Sequence, residues 1–321
     1  MSKHLIYSPR YDIRFLGIER LHPFDSRKYS RAFALLRERL GPALERWVIA
    51  PPAPLSEQQL LQVHMPYYLR QLRKPGCVAR ALELPLLRFF PAFVLERAAL
   101  RPMRWACAGT LLAGQLALEN GFAVNFAGGY HHAKPGSGEG FCVYSDIALL
   151  IHALRRSGRL PSYSPVAYVD LDVHQGNGVC HCFLDERNVI ILDAFNRWIY
   201  PADDTLARQR VNYPLPLDEG CDDAVYLDLL RTHLPRFFDM VACTKAPALV
   251  IYNAGTDILR GDPLGRLAVS ERGVLERDMF VVQQARQRDL PVVMLLGGGY
   301  TQTSHVVIAD SVEALLGQFA A

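Results

Sequence analysis

The feature that most constrains this chain is a set of short aliphatic runs without polar alternation. They are Leu5–Tyr7, Ala123–Phe126, Val166–Leu171, Val189–Leu192, Ala248–Tyr252 and Pro291–Leu296. A strand with one wet face alternates apolar and polar side chains; these runs do not, so both of their faces must be covered, as in a parallel sheet between helices. Helix-length segments lie between them: Arg104–Glu119, Ser145–Arg156, Asp222–Phe238, Glu271–Arg288 and Ser304–Gly317. The pattern predicts an α/β chain with a mainly parallel sheet. No repeat, low-complexity tract or Gly/Ser linker divides the 321 residues, so one domain over 1–321 is expected.

Charge excludes some partners. Thirty-five Lys and Arg against 32 Asp and Glu give a net charge of +3, too little for an electrostatic footprint on nucleic acid or an anionic membrane. No stretch approaches the ~20 apolar residues of a bilayer span. Seven cysteines, an odd number without framework spacing, suit a reducing compartment, and the expected location is the cytoplasm. No feature sets an oligomeric state.

In parallel α/β sheets ligands bind beyond the carboxyl ends of the strands. The residues after each run are rich in chemistry: Gly128-Gly129-Tyr130-His131-His132, then Asp172 and His174, then Asp257, then Gly297-Gly298-Gly299-Tyr300. Each alone reads as an ordinary strand-end turn residue. Together, one imidazole and two carboxylates with an open position suit a catalytic Zn²⁺ or another first-row divalent ion. The tandem His131 and His132 cannot both be convenient core residues, since each buried ring needs partners on two nitrogens. General acid and base work is the stronger reading. Asp170, two residues before Asp172, faces the same side from deeper in the strand and needs a partner, for which a catalytic imidazole is suited. Tyr300 offers a phenol to polarise a carbonyl. Cys180-His181-Cys182 lacks the spacing of a structural zinc motif and reads as packing.

These residues, with Tyr7-Ser8-Pro9-Arg10-Tyr11, Leu21-His22-Pro23-Phe24-Asp25, Val63-His64, Gly140-Phe141-Cys142, Asp170 to Gly178, Asn196-Arg197, Tyr200-Pro201, Tyr252 to Leu259, and Gly261-Asp262, give a sequence that resembles the zinc-dependent histone deacetylases, most closely class IV. The resemblance implies the arginase/deacetylase-like fold with an eight-stranded sheet. It also implies one Zn²⁺ on Asp172, His174 and Asp257, with Fe²⁺ the alternative occupant, and acylated lysine as substrate. By the same matching, His132 is the main acid/base, His131 its electrostatic support with Asp170 behind it, and Tyr300 the carbonyl-polarising phenol. Phe141 and Tyr200 wall an acyl-lysine tunnel, and Gly140 shapes its rim. A structural K⁺ near Asp170, Asp172 and His174, with Asp193 added, belongs to the same carry-over. His22 and His64 match family positions as packing residues. Asn177 stands where many deacetylases carry Asp; a neutral amide stabilises an imidazolium less, and with class IV this implies slower deacetylation and a preference for longer acyl chains. The rival readings are a binuclear arginase-type hydrolase, an acetylpolyamine or other small-molecule amidohydrolase, and a silent acyl-lysine binder.

Overall fold

The computed structural model describes residues 2–14, 17, 23–242 and 248–320; Leu21, His22 and Cys243 lie outside these. Eight strands form one sheet: β1 (Leu5–Ile6), β2 (Val48–Ile49), β3 (Phe122–Asn125), β4 (Val166–Asp170), β5 (Val189–Asn196), β6 (Tyr213–Leu217), β7 (Leu249–Asn253) and β8 (Val292–Leu295). Their order is β2-β1-β3-β8-β7-β4-β5-β6, and every pairing between them is parallel.

The covered faces explain the unbroken apolar runs. Along β4, Ala167 and Val169 join one buried cluster while Val166 and Tyr168 join another, as successive side chains must when both sides of a sheet are packed. The long helices Arg101–Asn120, Asp146–Arg156, Asp223–Ala242, Glu271–Arg286 and Ser304–Phe319 supply the covering layers. Gly121, in a left-handed conformation at φ +82°, ends the first of them and turns the chain into β3.

Sequence reasoning missed both edge strands and the helix Lys28–Leu40. β2 is two residues long. β6 contains Pro214 and Pro216, which cannot donate to a ladder and are tolerated at an edge; their presence hid the strand. The four contiguous central strands β3, β8, β7 and β4 all point their carboxyl ends at one crevice, and there the candidate residues collect.

Candidate active site

Asp172 and His174 follow the end of β4, and Asp257 follows β7. Nδ1 of His174 lies 3.2 Å from Oδ1 of Asp172 and 3.2 Å from Oδ2 of Asp257. One donor atom from each of the three fits within 4.8 Å of the others, and no other such group of three occurs among the described residues. Backbone N–H groups hold the carboxylates in place: Val173 donates to Asp257 (3.0 Å) and Gly298 to Asp172 (2.8 Å). A Cβ at Gly255 would overlap the Asp172 carboxylate, and one at Gly298 would overlap both carboxylates. Only glycine lets these loops approach so closely.

The donor set fits a divalent cation. Burial and the neighbouring Asp172 charge push the Asp257 carboxyl up to about 7. Burial opposes a charge on His174, yet the two carboxylates outweigh it and push the imidazole up to about 10. A proton thus stands where the charge of a metal ion would sit, and among the described residues this is the one cluster with that composition.

The tandem histidines stand beside this cluster, with ring centroids 4.0 Å apart. Their loop turns on Gly128 and Gly129, at φ +84° and +75°. It is pinned by the buried Asp146, which accepts from the N–H of Gly129 (3.0 Å) and Tyr130 (2.8 Å) and from the Thr110 hydroxyl (2.7 Å). Nδ1 of His131 lies 2.9 Å from Asp170, which also accepts from the Tyr168 hydroxyl (2.7 Å) and from Asn253 (2.9 Å). Burial alone would lower the pKa of His131; Asp170 and Asp172 overcome it and push it up to about 9. Nδ1 of His132 instead lies 2.8 Å from Oδ1 of Asn177. Burial, then the charges of His131 and His174, hold His132 well below the usual imidazole range.

Above the histidines, Gly140 and Phe141 both take positive φ, +53° and +65°. A Cβ on Gly140 would run into the His132 ring, so glycine is required there. The Phe141 ring lies 5.9 Å from that of Tyr300, and the Tyr200 ring 5.0 Å from that of His132. The outer mouth, about 380 Å³, is lined by Phe141, Trp198, Ile199, Tyr200 and Leu264. At the histidines the space narrows to about 20 Å³, lined by Phe24, Tyr130, His131, His132, Phe141 and Tyr300, room for roughly one water-sized group. Tyr300 stands between the two spaces, its backbone N–H donating to Asp262 (2.8 Å). Burial raises its phenol well above the usual range, so the proton stays on.

Residues 22–316 match the model of the Histone deacetylase domain. The chain belongs to the histone deacetylase family. It is 43% identical over 311 residues to Histone deacetylase 2 of Arabidopsis thaliana, which covers 97% of this chain and 78% of that protein. An uncharacterized protein of Picosynechococcus sp. is 34% identical over 96% of this chain and 95% of its own length. Among solved structures, the HDA15 HD domain superposes with a TM-score of 0.76 at 20% identity, over 99% of this chain and 89% of that one, a likeness of fold.

Several residues that shape the deacetylase site had escaped sequence reasoning. Lys28, fully buried, donates to the carbonyls of Gly297 (2.9 Å), Gly298 (2.7 Å) and Gly299 (3.1 Å), fixing the loop before Tyr300. Arg277, also fully buried, donates to the carbonyls of Leu171 (3.2 Å) and Gly255 (2.6 Å), tying together the segments that carry Asp172 and Asp257. Its charge is met by Asp278 at 2.9 Å. Losing one partner of such a buried pair costs about 3–5 kcal/mol. The available signal was an Arg-Asp pair within a helix face that otherwise packs inward. His64 is a packing residue of the deacetylase domain: burial pushes it down to about 4, and its Nε2 accepts from the Ser145 N–H at 3.1 Å. Cys180 is buried, and the intervening His181 pairs with Asp204 at 3.0 Å.

Proposed function

We propose that this chain hydrolyses the amide of acylated lysine side chains, acetyl-lysine foremost, with one Zn²⁺ held by Asp172, His174 and Asp257. The observation that carries the reading is the meeting of that ligand cluster with two histidines, one backed by the Asp170 carboxylate and the other by the Asn177 amide, below an aromatic-walled mouth. When bound there, a divalent ion supplies Lewis acidity for the acyl carbonyl and acidifies water.

The chain's own residues do the rest. Asn253 holds Asp170 and Asp170 holds His131, and the carboxylate keeps that ring cationic, available to stabilise negative charge as it develops. That cation, with burial, keeps His132 neutral, so its Nε2 is free to take a proton from water and return it to the departing lysine amine. Tyr300, protonated, donates to the acyl oxygen. Phe141 and Tyr200 hold the lysine methylenes and limit water around them. The small inner space favours a short acyl group over a long chain.

The class IV affinity suggested by Asn177, without the preference for longer acyl chains that it implied, and a K⁺ beside Asp170 and Asp193 belong to this reading. For the latter, Oδ1 of Asp193 is buried without a partner, and burial with the Asp170 charge raises its carboxyl well above the usual range. A cation there would relieve both.

The test is a panel of acyl-lysine peptides and acetylated polyamines, followed by mass spectrometry, with EDTA-treated and Zn²⁺-reconstituted protein. Hydrolysis of acetyl-lysine peptide only after reconstitution is expected. Cleavage of the polyamines with no cleavage of any peptide would overturn the reading.

A further inference from the structure

A network behind His132 reaches the protein surface and bears on which of its nitrogens carries the proton. Oδ1 of Asn177 meets His132 Nδ1 at 2.8 Å, while Nδ2 of the same amide donates to Glu139 (2.6 Å) and to Asp204 (3.1 Å). Lys134 bridges the two carboxylates, at 3.0 Å and 3.1 Å, and lets them stand close together. Asp204 also caps the helix Thr205–Arg210 by accepting from the Ala207 N–H at 3.2 Å. Burial would raise the Asp204 carboxyl, but the hydrogen bonds from Asn177 and Lys134 hold it below its ordinary range, so it remains an acceptor.

A side-chain amide is nearly symmetric in shape but not in chemistry: turned over, it exchanges its acceptor for its donor. If Asn177 turned over, its oxygen would face two carboxylate oxygens with no proton between them, and its N–H₂ would face His132. Two anionic acceptors behind the amide exclude that state. We propose that Glu139 and Asp204 are positioning residues for His132: by accepting both protons of the Asn177 amide they fix its orientation, and the amide oxygen in turn fixes His132 as the Nδ1–H tautomer. Nε2 is thereby left with its lone pair toward the reacting centre. A carboxylate at position 177 would impose this tautomer unaided; an amide needs the outer pair. Glu139 lies in the loop that also carries Gly140 and Phe141, so the tautomer of a buried base is set partly by the rim of its own tunnel.

The inference deepens the hydrolase reading and rests on it for its consequence in turnover, but its structural content is measured without turnover. Zn²⁺-loaded full-length protein carrying ¹³C,¹⁵N-histidine is examined by NMR, with the His132 signals assigned by their loss in His132→Ala. The wild type is expected to show a protonated Nδ1 and an unprotonated Nε2. In Glu139→Ala/Asp204→Asn the Asn keeps the helix cap through its carbonyl and presents N–H₂ to Asn177, favouring the turned-over amide. Both tautomers should then appear, and kcat for an acetyl-lysine peptide should fall at least about tenfold with KM changed less than about twofold. Adding Asn177→Asp to that double variant should restore the single tautomer and most of the turnover, because a carboxylate accepts in either orientation. A double variant that keeps a single Nδ1–H tautomer overturns the proposal. So does a triple variant with turnover no better than the double, since that marks collapse of the rim. Wild-type protein inert toward every acyl-lysine peptide would sink the hydrolase reading alone, leaving the tautomer measurement to decide this inference.

Discussion

The floor of the site and its rim treat two adjacent residues of one type in opposite ways. His131 backs onto the ends of strands: Asp170 closes β4, Asn253 closes β7, and both are fully buried. His132 backs onto Asn177, the buried first residue of the helix Asn177–Cys182, and through it onto the partly exposed Glu139, Asp204 and Lys134. A buried carboxylate beside the first ring makes it a cation; burial of the second, with that cation 4.0 Å away, keeps it neutral, and the neutral Asn177 amide pulls the other way too weakly to change this. The difference teaches that protonation here is assigned by the element each ring leans on, since the rings share burial and sequence context. The floor is also tight, about 20 Å³, where the mouth is wide, about 380 Å³.

The strongest attempt to break this contrast removes the neutral ring. His132→Ala should lower kcat about 10³-fold or more, in the range of general acid–base catalysis, with bound zinc near one per chain by atomic absorption. Loss of zinc along with activity would mean that the rim side also builds the metal cluster, and the two regions would not be separable. A smaller effect is expected on the floor side from Asp170→Asn. The amide leaves His131 a partner but no charge, so its pKa falls from near 9. We expect kcat to drop about 10²-fold and the alkaline limb of its pH profile to move to lower pH. An unmoved limb would show that His131 does not act as a cation.

Much of the floor was legible in the sequence, because its residues sit at the ends of unbroken apolar runs. Asp172 follows such a run directly, His174, Asp257 and Tyr300 come within five residues of the end of one, and the parallel-sheet rule places all of them on one side. The rim was less legible. Asn177 was noticed as a departure, but Glu139 and Asp204 lie 65 residues apart in loops, and nothing in periodicity brings them to one amide. The buried cations Lys28 and Arg277 were hidden for another reason. Arg277 left only its neighbour Asp278 as a trace, and the loop partners of both cations are distant backbone carbonyls, which leave no side-chain signature. Edge strand β6, with its two prolines, was lost because propensity argues against a strand wherever Pro repeats.

The metal cluster sharpens the floor side further through stability. In the ion-free chain His174 is raised to about 10 and Asp257 to about 7, both above their unfolded values of ~6.5 and ~4. The folded chain therefore binds more protons than the unfolded one, and the stability these groups contribute falls as pH rises, first through 7 and then through 10. Asp172, held well below its usual range, is ionised in both states over that span and adds no slope. EDTA-treated protein should lose Tm from about pH 6 to pH 8, above which buried Lys28, lowered to about 8, works in the opposite direction, whereas Zn²⁺-loaded protein should hold Tm over that span, since deprotonated ligands are what the ion requires. A flat profile without metal would mean that the cluster carries no proton to displace.

The smallest effect concerns the space at the histidines. The class IV resemblance implies longer acyl chains, yet the floor offers about 20 Å³, enough for a group the size of the acetyl methyl and far below a myristoyl tail. Lengthening the acyl group requires Phe24 or Tyr130 to move, and Tyr130 is buried with its backbone N–H held by Asp146 at 2.8 Å. Overpacking a tight site of this kind costs about 1–3 kcal/mol, so kcat/KM for acetyl-lysine should exceed that for myristoyl-lysine by roughly 5- to 150-fold on the same peptide. Phe24→Ala removes a ring that packs against Tyr300 and Phe141, so it should lower turnover of both substrates while narrowing that ratio. If the wild type instead prefers the myristoyl peptide, the inner space widens in solution, and the contrast in size between floor and mouth gives way to two regions that differ only in charge.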